Sequence, residues 1–373
     1  MRKVMQNVFV ISLIMLMFFP FVFAHREENR VSEAENRYYA NVPKLFKEEG
    51  INTNYISEFE DWISDNARLR TIFGEIKTRV LYNAFGVLNL SDTGIGKNKE
   101  LYSISSVTVD TVQGRNRFTK EGLEDFEESL YGLQKWLEAQ SIDFYYMICH
   151  DKATVIPEYY PEHVVVQNDV FLGQETEKYI ADKGRVSIVP LYDLLYQKAK
   201  EEKVYYEYWD SFHWNEAGVY IGYEQLMNQI CKKHTDVKAL QKEDYTLEYV
   251  TAQRDIYGFL YPYEEVITFY RIDNAQAQLK ETPLYENLRS KDKIFYYENP
   301  TGNKRILTIS DSFIQIVMKS SIAESFEETL SLDISNIDKI PWLVEHYKPD
   351  IIVLECEEIN LYKVQGMLNI LEL

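Results

Sequence analysis

Two separated segments of the chain carry the residue types that activate a hydroxyl group. The first is Trp209–Gly218, in which Asp210 is followed three residues later by His213. The second is Ile309–Phe313, where Ser312 follows an apolar run. A serine becomes a nucleophile when a histidine removes its proton and an acid orients that histidine. The two segments therefore predict a triad of Ser312, His213 and Asp210.

Each segment also has an ordinary structural interpretation. The Ser-Asp-Ser run at 310–312 precedes a helical pattern from Ile314 to Ser325, and such residues readily cap helix N-termini. His213 lies between two aromatic residues, a setting typical of a structural histidine. The joint presence of both segments is more specific than either alone and favours the chemical interpretation.

Alternating helical and strand patterns surround these segments. The strand patterns are Asp143–Cys149, Val186–Val189, Arg305–Ile309 and Asp350–Leu354, and the helical ones are Lys120–Ala139, Glu175–Asp182, Glu216–Ile230 and Ile337–His346. A helix that feeds a buried strand is the repeating unit of a mostly parallel sheet, whose strands bind ligands beyond their carboxyl ends. We predict a three-layer α/β domain in which Ser312 lies at that edge.

Three further regions complete the predicted domain. Tyr55–Phe85 has apolar residues at helical spacing, and Leu101–Val109 alternates like a strand. The segment of about 232–303 is rich in Tyr, Glu and Lys and weakly periodic. We interpret it as an irregular insertion of short strands and loops, within a domain that covers residues 51–373.

The N-terminus has the pattern of an export signal. Arg2 and Lys3 precede an apolar run from Val8 to Phe19, which continues to Ala24 after Pro20. This pattern predicts either a cleaved signal peptide or a membrane anchor over residues 1–24. Residues 25–50 are polar and charged and are expected to form a tether. In both cases the domain is expected outside the cytoplasm.

The composition narrows the class of partner. The net charge is −19 and the pI is about 4.9, which argues against a protein that binds a nucleic-acid backbone. The three cysteines are far apart, and the chain lacks the common metal and nucleotide motifs. We therefore expect no metal, no cofactor and no nucleic-acid partner.

The two chemical segments resemble those of a known family. An Asp-x-x-His motif with a separate Asp-Ser motif is similar to that of SGNH hydrolases, and the order with Trp214 after His213 resembles the alginate O-acetyltransferase group (AlgJ/AlgX-like, or DHHW proteins). Supporting stretches are Ser32–Arg37, Lys152–Pro161, Tyr205–Tyr206, Gly218–Tyr223 and Lys348–Asp350. Two features depart from the family pattern: Phe212 adds one residue before His213, and Ser310 replaces the usual glycine before Asp-Ser.

The resemblance implies an exported or membrane-tethered enzyme that acetylates hydroxyls of an extracellular polysaccharide. Ser312 would carry the acetyl group, His213 would move the proton and Asp210 would orient the histidine. A membrane-bound O-acyltransferase partner would supply the acetyl group. Lys152 and Trp214 are expected to contact substrate.

Two other functions agree with the same residues. An acetyl esterase acting on glycans would use this triad with water as the acceptor. A non-catalytic glycan-binding scaffold of a polysaccharide assembly complex is favoured by the added Phe212 and the replaced glycine.

Overall fold

The computed structural model describes residues 7, 9–15, 18, 31–32, 37–47, 50–66, 68–167 and 170–371. The predicted export segment therefore lies mostly outside the described residues, whereas about half of the predicted tether is described. Among the residues that are described, no helix is both long and apolar enough to cross a membrane. The chain forms two compact units, Met1–Ser91 with Gln253–Glu264, and Asp92–Ala252 with Glu265–Leu373.

The strands are β1 Val31–Ser32, β2 Arg37–Tyr38, β3 Phe46–Lys47, β4 Gly50–Ile51, β5 Thr93–Ile95, β6 Leu101–Ser103, β7 Asp143–Cys149, β8 Ile188–Val189, β9 Tyr245–Ile256, β10 Phe259–Ile272, β11 Gln278–Lys280, β12 Phe295–Glu298, β13 Arg305–Ser310, β14 Glu328–Asp333 and β15 Ile351–Glu357. The α-helices are α1 Tyr55–Asn66, α2 Arg68–Phe85, α3 Ser106–Val112, α4 Lys120–Glu138, α5 Lys152–Val155, α6 Leu172–Lys183, α7 Tyr192–Lys198, α8 Glu216–Lys233, α9 Lys319–Ser325, α10 Ile340–His346 and α11 Leu361–Leu368. A π-helix, Phe313–Met318, leads directly into α9.

The larger unit is built on a seven-stranded sheet with the order β11-β12-β14-β13-β15-β7-β8. The five strands from β14 to β8 are parallel, while β12 pairs antiparallel to β14, and β11 antiparallel to β12. Consecutive residues of a strand point to opposite faces, and here both faces are buried. Phe144, Tyr146 and Ile148 of β7 enter one apolar cluster, and Tyr145 and Met147 enter the other.

Helices cover both faces of this sheet. One apolar cluster is completed by residues of α4, α6, α10 and α11, and the other by residues of α7, α8 and the helical segment from Phe313 to Ser325. The three-layer α/β architecture predicted from the sequence is thereby confirmed. Strand β13 is central, so its carboxyl end at Ser310 opens onto the middle of one sheet edge.

Several local predictions differ from the structure. Leu101–Val109 is a strand only as far as Ser103, because the Ser105 side chain accepts a hydrogen bond from the Thr108 N–H and starts α3. The segment expected to hold short strands contains the two longest strands in the described part of the chain, β9 and β10, with 12 and 14 residues. Much of β9 is exposed on both of its faces, so its sequence lacks the alternation that identifies a half-buried strand.

Candidate active site

Ser312 is placed by the end of a buried strand and the start of a helical segment. Strand β13 ends at Ser310, and Ser312 stands immediately before the π-helix with φ −65° and ψ −25°. Its side chain makes no capping hydrogen bond to that helix. The serine is only partly buried, so its hydroxyl remains open to other partners.

The structure brings Ser312, His213 and Asp210 together. The Ser312 Oγ lies 2.8 Å from the His213 Nε2, although 99 residues separate them. On the other side of the ring, the His213 Nδ1 lies 3.0 Å from the Asp210 Oδ2. A carboxylate on Nδ1 favours the tautomer that carries a proton there, which leaves Nε2 to accept the serine proton.

Asp210 is held in a tight turn by the residues that follow it. Its Oδ1 accepts hydrogen bonds from the backbone N–H groups of Phe212 and His213, both at 2.9 Å. Burial raises the pKa of the Asp210 carboxyl, but the adjacent His213 and these hydrogen bonds outweigh burial and keep the pKa well below its ordinary value. The carboxylate is therefore ionised at neutral pH. The added Phe212 donates one of the two N–H groups that hold it.

The turn that carries His213 is anchored at its base. Tyr205 and Trp214 form an antiparallel β-bridge, which closes the turn just before α8. Trp214 is fully buried, donates its indole N–H to the carbonyl of His150 at 3.1 Å, and packs edge-on against Phe313 at 4.9 Å between ring centroids. Because Phe313 follows Ser312, this contact joins the two segments of the site. Trp214 was expected to contact substrate, but here it is buried in the core.

Glu265 supports the same turn and has no sequence motif to reveal it. This carboxylate on β10 is 7% exposed and accepts hydrogen bonds from three successive backbone N–H groups, those of Glu207, Tyr208 and Trp209, at 2.8, 2.9 and 2.8 Å. Those residues lead directly into Asp210. Hydrogen bonds to an ionised acceptor are roughly twice as strong as neutral ones. Glu265 therefore holds the backbone of residues 207–209, which leads into the turn that carries Asp210 and His213.

Lys152 lies inside the protein and not on a substrate surface. Its ammonium is fully buried, pairs with the Glu100 carboxylate at 2.6 Å, and donates to the carbonyls of Leu101 and Tyr206 at 3.1 and 2.8 Å. Burial lowers the pKa of the Lys152 ammonium, and the Glu100 charge opposes that change. These contacts leave no donor directed to a substrate, so the structure gives Lys152 the position of a loop anchor.

Glu355 and Glu357, at the carboxyl end of β15, are buried beside Asp311, the residue that precedes Ser312. The Asp311 carboxylate accepts a 2.5 Å hydrogen bond from the Glu357 backbone N–H and one from the Asn360 side chain at 3.2 Å. Burial and neighbouring acids raise the pKa values of Glu355 and Glu357 well above the ordinary value. Glu357 Oε1 has no hydrogen-bond partner among the described residues. Burial therefore favours the neutral form of these two glutamates beside the loop of Ser312.

The geometry is that of a serine–histidine–acid site at the carboxyl edge of a parallel sheet. A model of the family described as "SGNH hydrolase-like domain, acetyltransferase AlgX" matches residues 108–301, which is more than half of the chain. The chain therefore belongs to this family, and the resemblance inferred from the motifs is confirmed. The matched range contains Asp210 and His213 and ends before Ser312.

Solved structures of related proteins are similar to this chain. Bacillus cereus PatB1 with a sulfonyl adduct has a TM-score of 0.54 at 17% identity, over 71% of this chain and 93% of that chain. The O-acetyltransferase domain of Pseudomonas putida AlgJ has a TM-score of 0.44 at 14% identity, over 74% and 98%. Of these two, the PatB1 likeness is close enough to show a shared fold. No significant match was found among curated proteins.

Proposed function

We propose that this protein is an extracytoplasmic O-acetyltransferase that moves acetyl groups onto hydroxyls of a cell-surface or secreted polysaccharide. The observation that carries the proposal is the continuous hydrogen-bonded path from the Ser312 hydroxyl through His213 to Asp210. The acetyltransferase family and the pattern of an export segment support the reaction and the compartment. The substrate class follows from the family resemblance.

The first half-reaction loads the serine. The Ser312 Oγ attacks the acetyl carbonyl carbon of the donor while the His213 Nε2 takes the hydroxyl proton. The ionised Asp210 stabilises the resulting imidazolium. When the intermediate collapses, the donor's leaving group departs with the proton held by His213, and acetyl-Ser312 remains.

The second half-reaction transfers the acetyl group from Ser312 to the acceptor. A sugar hydroxyl gives its proton to the His213 Nε2 and attacks the acetyl carbon, and the serine oxygen leaves as it regains that proton. Water in place of the sugar would release acetate, so the site must favour a bound carbohydrate over water. A membrane-bound O-acyltransferase is our proposed source of the acetyl group. In this scheme Lys152 and Trp214 position the loop and do not bind substrate.

A chromogenic acetyl ester tests the reaction directly. The purified protein should hydrolyse the ester and acquire an acetyl group on the peptide containing Ser312, detected by mass spectrometry. Ser312→Ala should lose about a thousandfold or more of the activity, because nucleophile and base act as a unit. Ser320→Ala is a matched control, since Ser320 is an exposed serine in α9.

The acceptor is tested separately. The acetyl ester is supplied together with defined neutral and anionic oligosaccharides, and the products are separated by mass. Acetylated sugar that depends on Ser312 supports transfer, whereas acetate release unaffected by any sugar would identify an esterase. Retention of activity by Ser312→Ala would exclude Ser312 as the nucleophile. Absence of both ester hydrolysis and acetylation in the parent protein would favour the glycan-binding scaffold.

A further inference from the structure

An exposed apolar surface runs along helix α2 in the smaller unit. Ile72, Phe73, Ile76 and Val80 are 51, 62, 53 and 55% exposed. At about 100° per residue these four positions fall within an arc of about 100° on one side of the helix. We name these four residues the α2 apolar face. Single exposed apolar residues are common, but a continuous face of this kind marks a surface that contacts something else.

The opposite side of α2 is packed, so its orientation is defined. Tyr82 lies 5.3 Å from Phe259 and 5.9 Å from Tyr261 between ring centroids. A Cβ added at Gly74 would lie 2.8 Å from the Tyr257 Cβ, so the helix is in close contact with the turn between the paired strands β9 and β10. Thr78 is fully buried and donates to the Gly74 carbonyl at 2.8 Å. The α2 apolar face therefore points away from the packed side.

The charge of α2 is opposite to that of the protein. The helix sequence contains four basic residues, Arg68, Arg70, Lys77 and Arg79, and one acidic residue, Glu75, which gives a net charge of +3 in a chain of −19. Lys77 is exposed. Arg79 is more than half exposed even though it pairs with Glu75 at 2.8 Å. An apolar face bordered by basic residues is the pattern of a helix that lies in a membrane interface.

We propose that α2 docks on the surface of an anionic lipid membrane through its apolar face and its basic residues. The apolar side chains would enter the boundary between headgroups and acyl chains, while Lys77 and Arg79 would contact anionic headgroups. The acidic remainder of the chain would be repelled from the same surface, which orients the protein. This proposal does not depend on Ser312 being catalytic.

The N-terminal sequence also favours a membrane as the partner of the α2 apolar face. An apolar run from Val8 to Phe19 precedes α1 by fewer than 40 residues, a length of chain that spans at most about 130 Å when fully extended. A chain inserted in a membrane through that run would keep the smaller unit within reach of the bilayer. Docking of α2 would place the protein beside a membrane-bound acetyl donor.

A fluorescent probe on α2 tests the proposal in the full chain. Ile76→Cys is labelled with an environment-sensitive dye in a Cys231→Ser background, because Cys231 is partly exposed whereas Cys149 and Cys356 are buried. The protein is reconstituted into vesicles of phosphatidylcholine alone or with phosphatidylglycerol at a 7:3 ratio. We expect a blue shift and increased emission in the anionic vesicles, reversed by high salt because charges are then screened.

Two variants and one control site sharpen the result. Val80→Glu should abolish the shift, and Lys77→Gln should lower the docked-to-undocked ratio roughly fivefold, the factor expected for one basic residue at an anionic surface. The same dye at Leu279→Cys is the control, since Leu279 is 59% exposed on strand β11 of the larger unit. It should not respond to lipid.

Three outcomes would overturn the proposal. Unchanged emission from position 76 in anionic vesicles would show that α2 stays in water. Equal shifts in neutral and anionic vesicles would refute the role of the basic residues. A shift in detergent that grows with protein concentration, without lipid, would identify a second copy of the chain as the partner of the α2 apolar face.

Discussion

Replacing Glu265 tests whether the candidate active site depends on a residue that positions its backbone without taking part in the chemistry. In Glu265→Ala the backbone N–H groups of Glu207, Tyr208 and Trp209 lose their shared acceptor. Each unsatisfied buried donor costs about 1–3 kcal/mol, but these three residues are half-buried and water can reach part of the turn. We therefore expect the free energy of unfolding to fall by about 2–4 kcal/mol.

The effect on catalysis follows from the position of this turn. Residues 207–209 lead into Asp210, so their release allows the acid and His213 to move relative to Ser312. A displacement of about 1 Å in a catalytic group costs about a hundredfold in rate. Glu265→Gln keeps one side-chain oxygen, which can accept from two of the three N–H groups. The rate should therefore fall only about tenfold, because one hydrogen bond and the negative charge of the acceptor are lost.

The assay combines kinetics with denaturation. Activity toward an acetyl ester is measured at a temperature where each variant is fully folded, and urea unfolding gives the stability of each. We expect kcat to decrease from the parent to Glu265→Gln and further to Glu265→Ala, with little change in KM. Glu264→Gln is the matched control, because Glu264 is the exposed neighbour on β10 and should change neither quantity. Full activity in folded Glu265→Ala would refute the positioning role.

Three further changes test other parts of the site. Asp210→Asn should lower kcat about a thousandfold or more while the fold is retained, because the amide favours the wrong histidine tautomer; steady-state kinetics and circular dichroism measure this, and near-normal kcat would exclude Asp210 as the orienting acid. Because the pKa of Glu357 in the folded state is raised above 4.5, this residue destabilises the folded protein increasingly as the pH rises above about 5. Glu357→Gln cannot ionise, so its free energy of unfolding relative to the parent should increase between pH 5 and pH 8. Urea unfolding at both pH values measures this difference, and a difference that does not change with pH would contradict the reasoning. Gly218→Ala should destabilise the protein by about 1–3 kcal/mol, because its Cβ would lie 2.2 Å from the Val204 carbonyl oxygen, whereas Gly132→Ala, with no neighbour within 4 Å, should be neutral or stabilising in the same thermal unfolding measurement.

Local sequence determined much of the framework of the larger unit. Strand β7 was predicted with the bounds that the structure has, and α4 to within one residue, because each has a strong local apolar pattern and clear ends. The strand before Ser312 and the helix after His213 were predicted on the same grounds. Burial on both faces produces continuous apolar strands, which are easily recognised without knowledge of their neighbours.

Residue type and spacing were also sufficient to nominate Ser312, His213 and Asp210, and to relate the chain to its family. Asp210 and His213 are three residues apart, so their contact depends on one turn of local backbone. The approach of Ser312 to His213 required one topological rule, that parallel strands present ligand sites at their carboxyl ends. These statements need few long-range contacts, which is why sequence reasoning reached them.

Only the tertiary structure decided what supports that site. Lys152 meets Glu100 across 52 positions and Glu265 meets the 207–209 turn across more than 50, and no local pattern marks either pairing. Lysine and glutamate side chains are ordinarily solvated. The sequence therefore led us to assign Lys152 to substrate binding and gave no reason to single out Glu265. Their burial depends on the chain closing around them, because a charged group leaves water only where the folded protein supplies its hydrogen-bond partners.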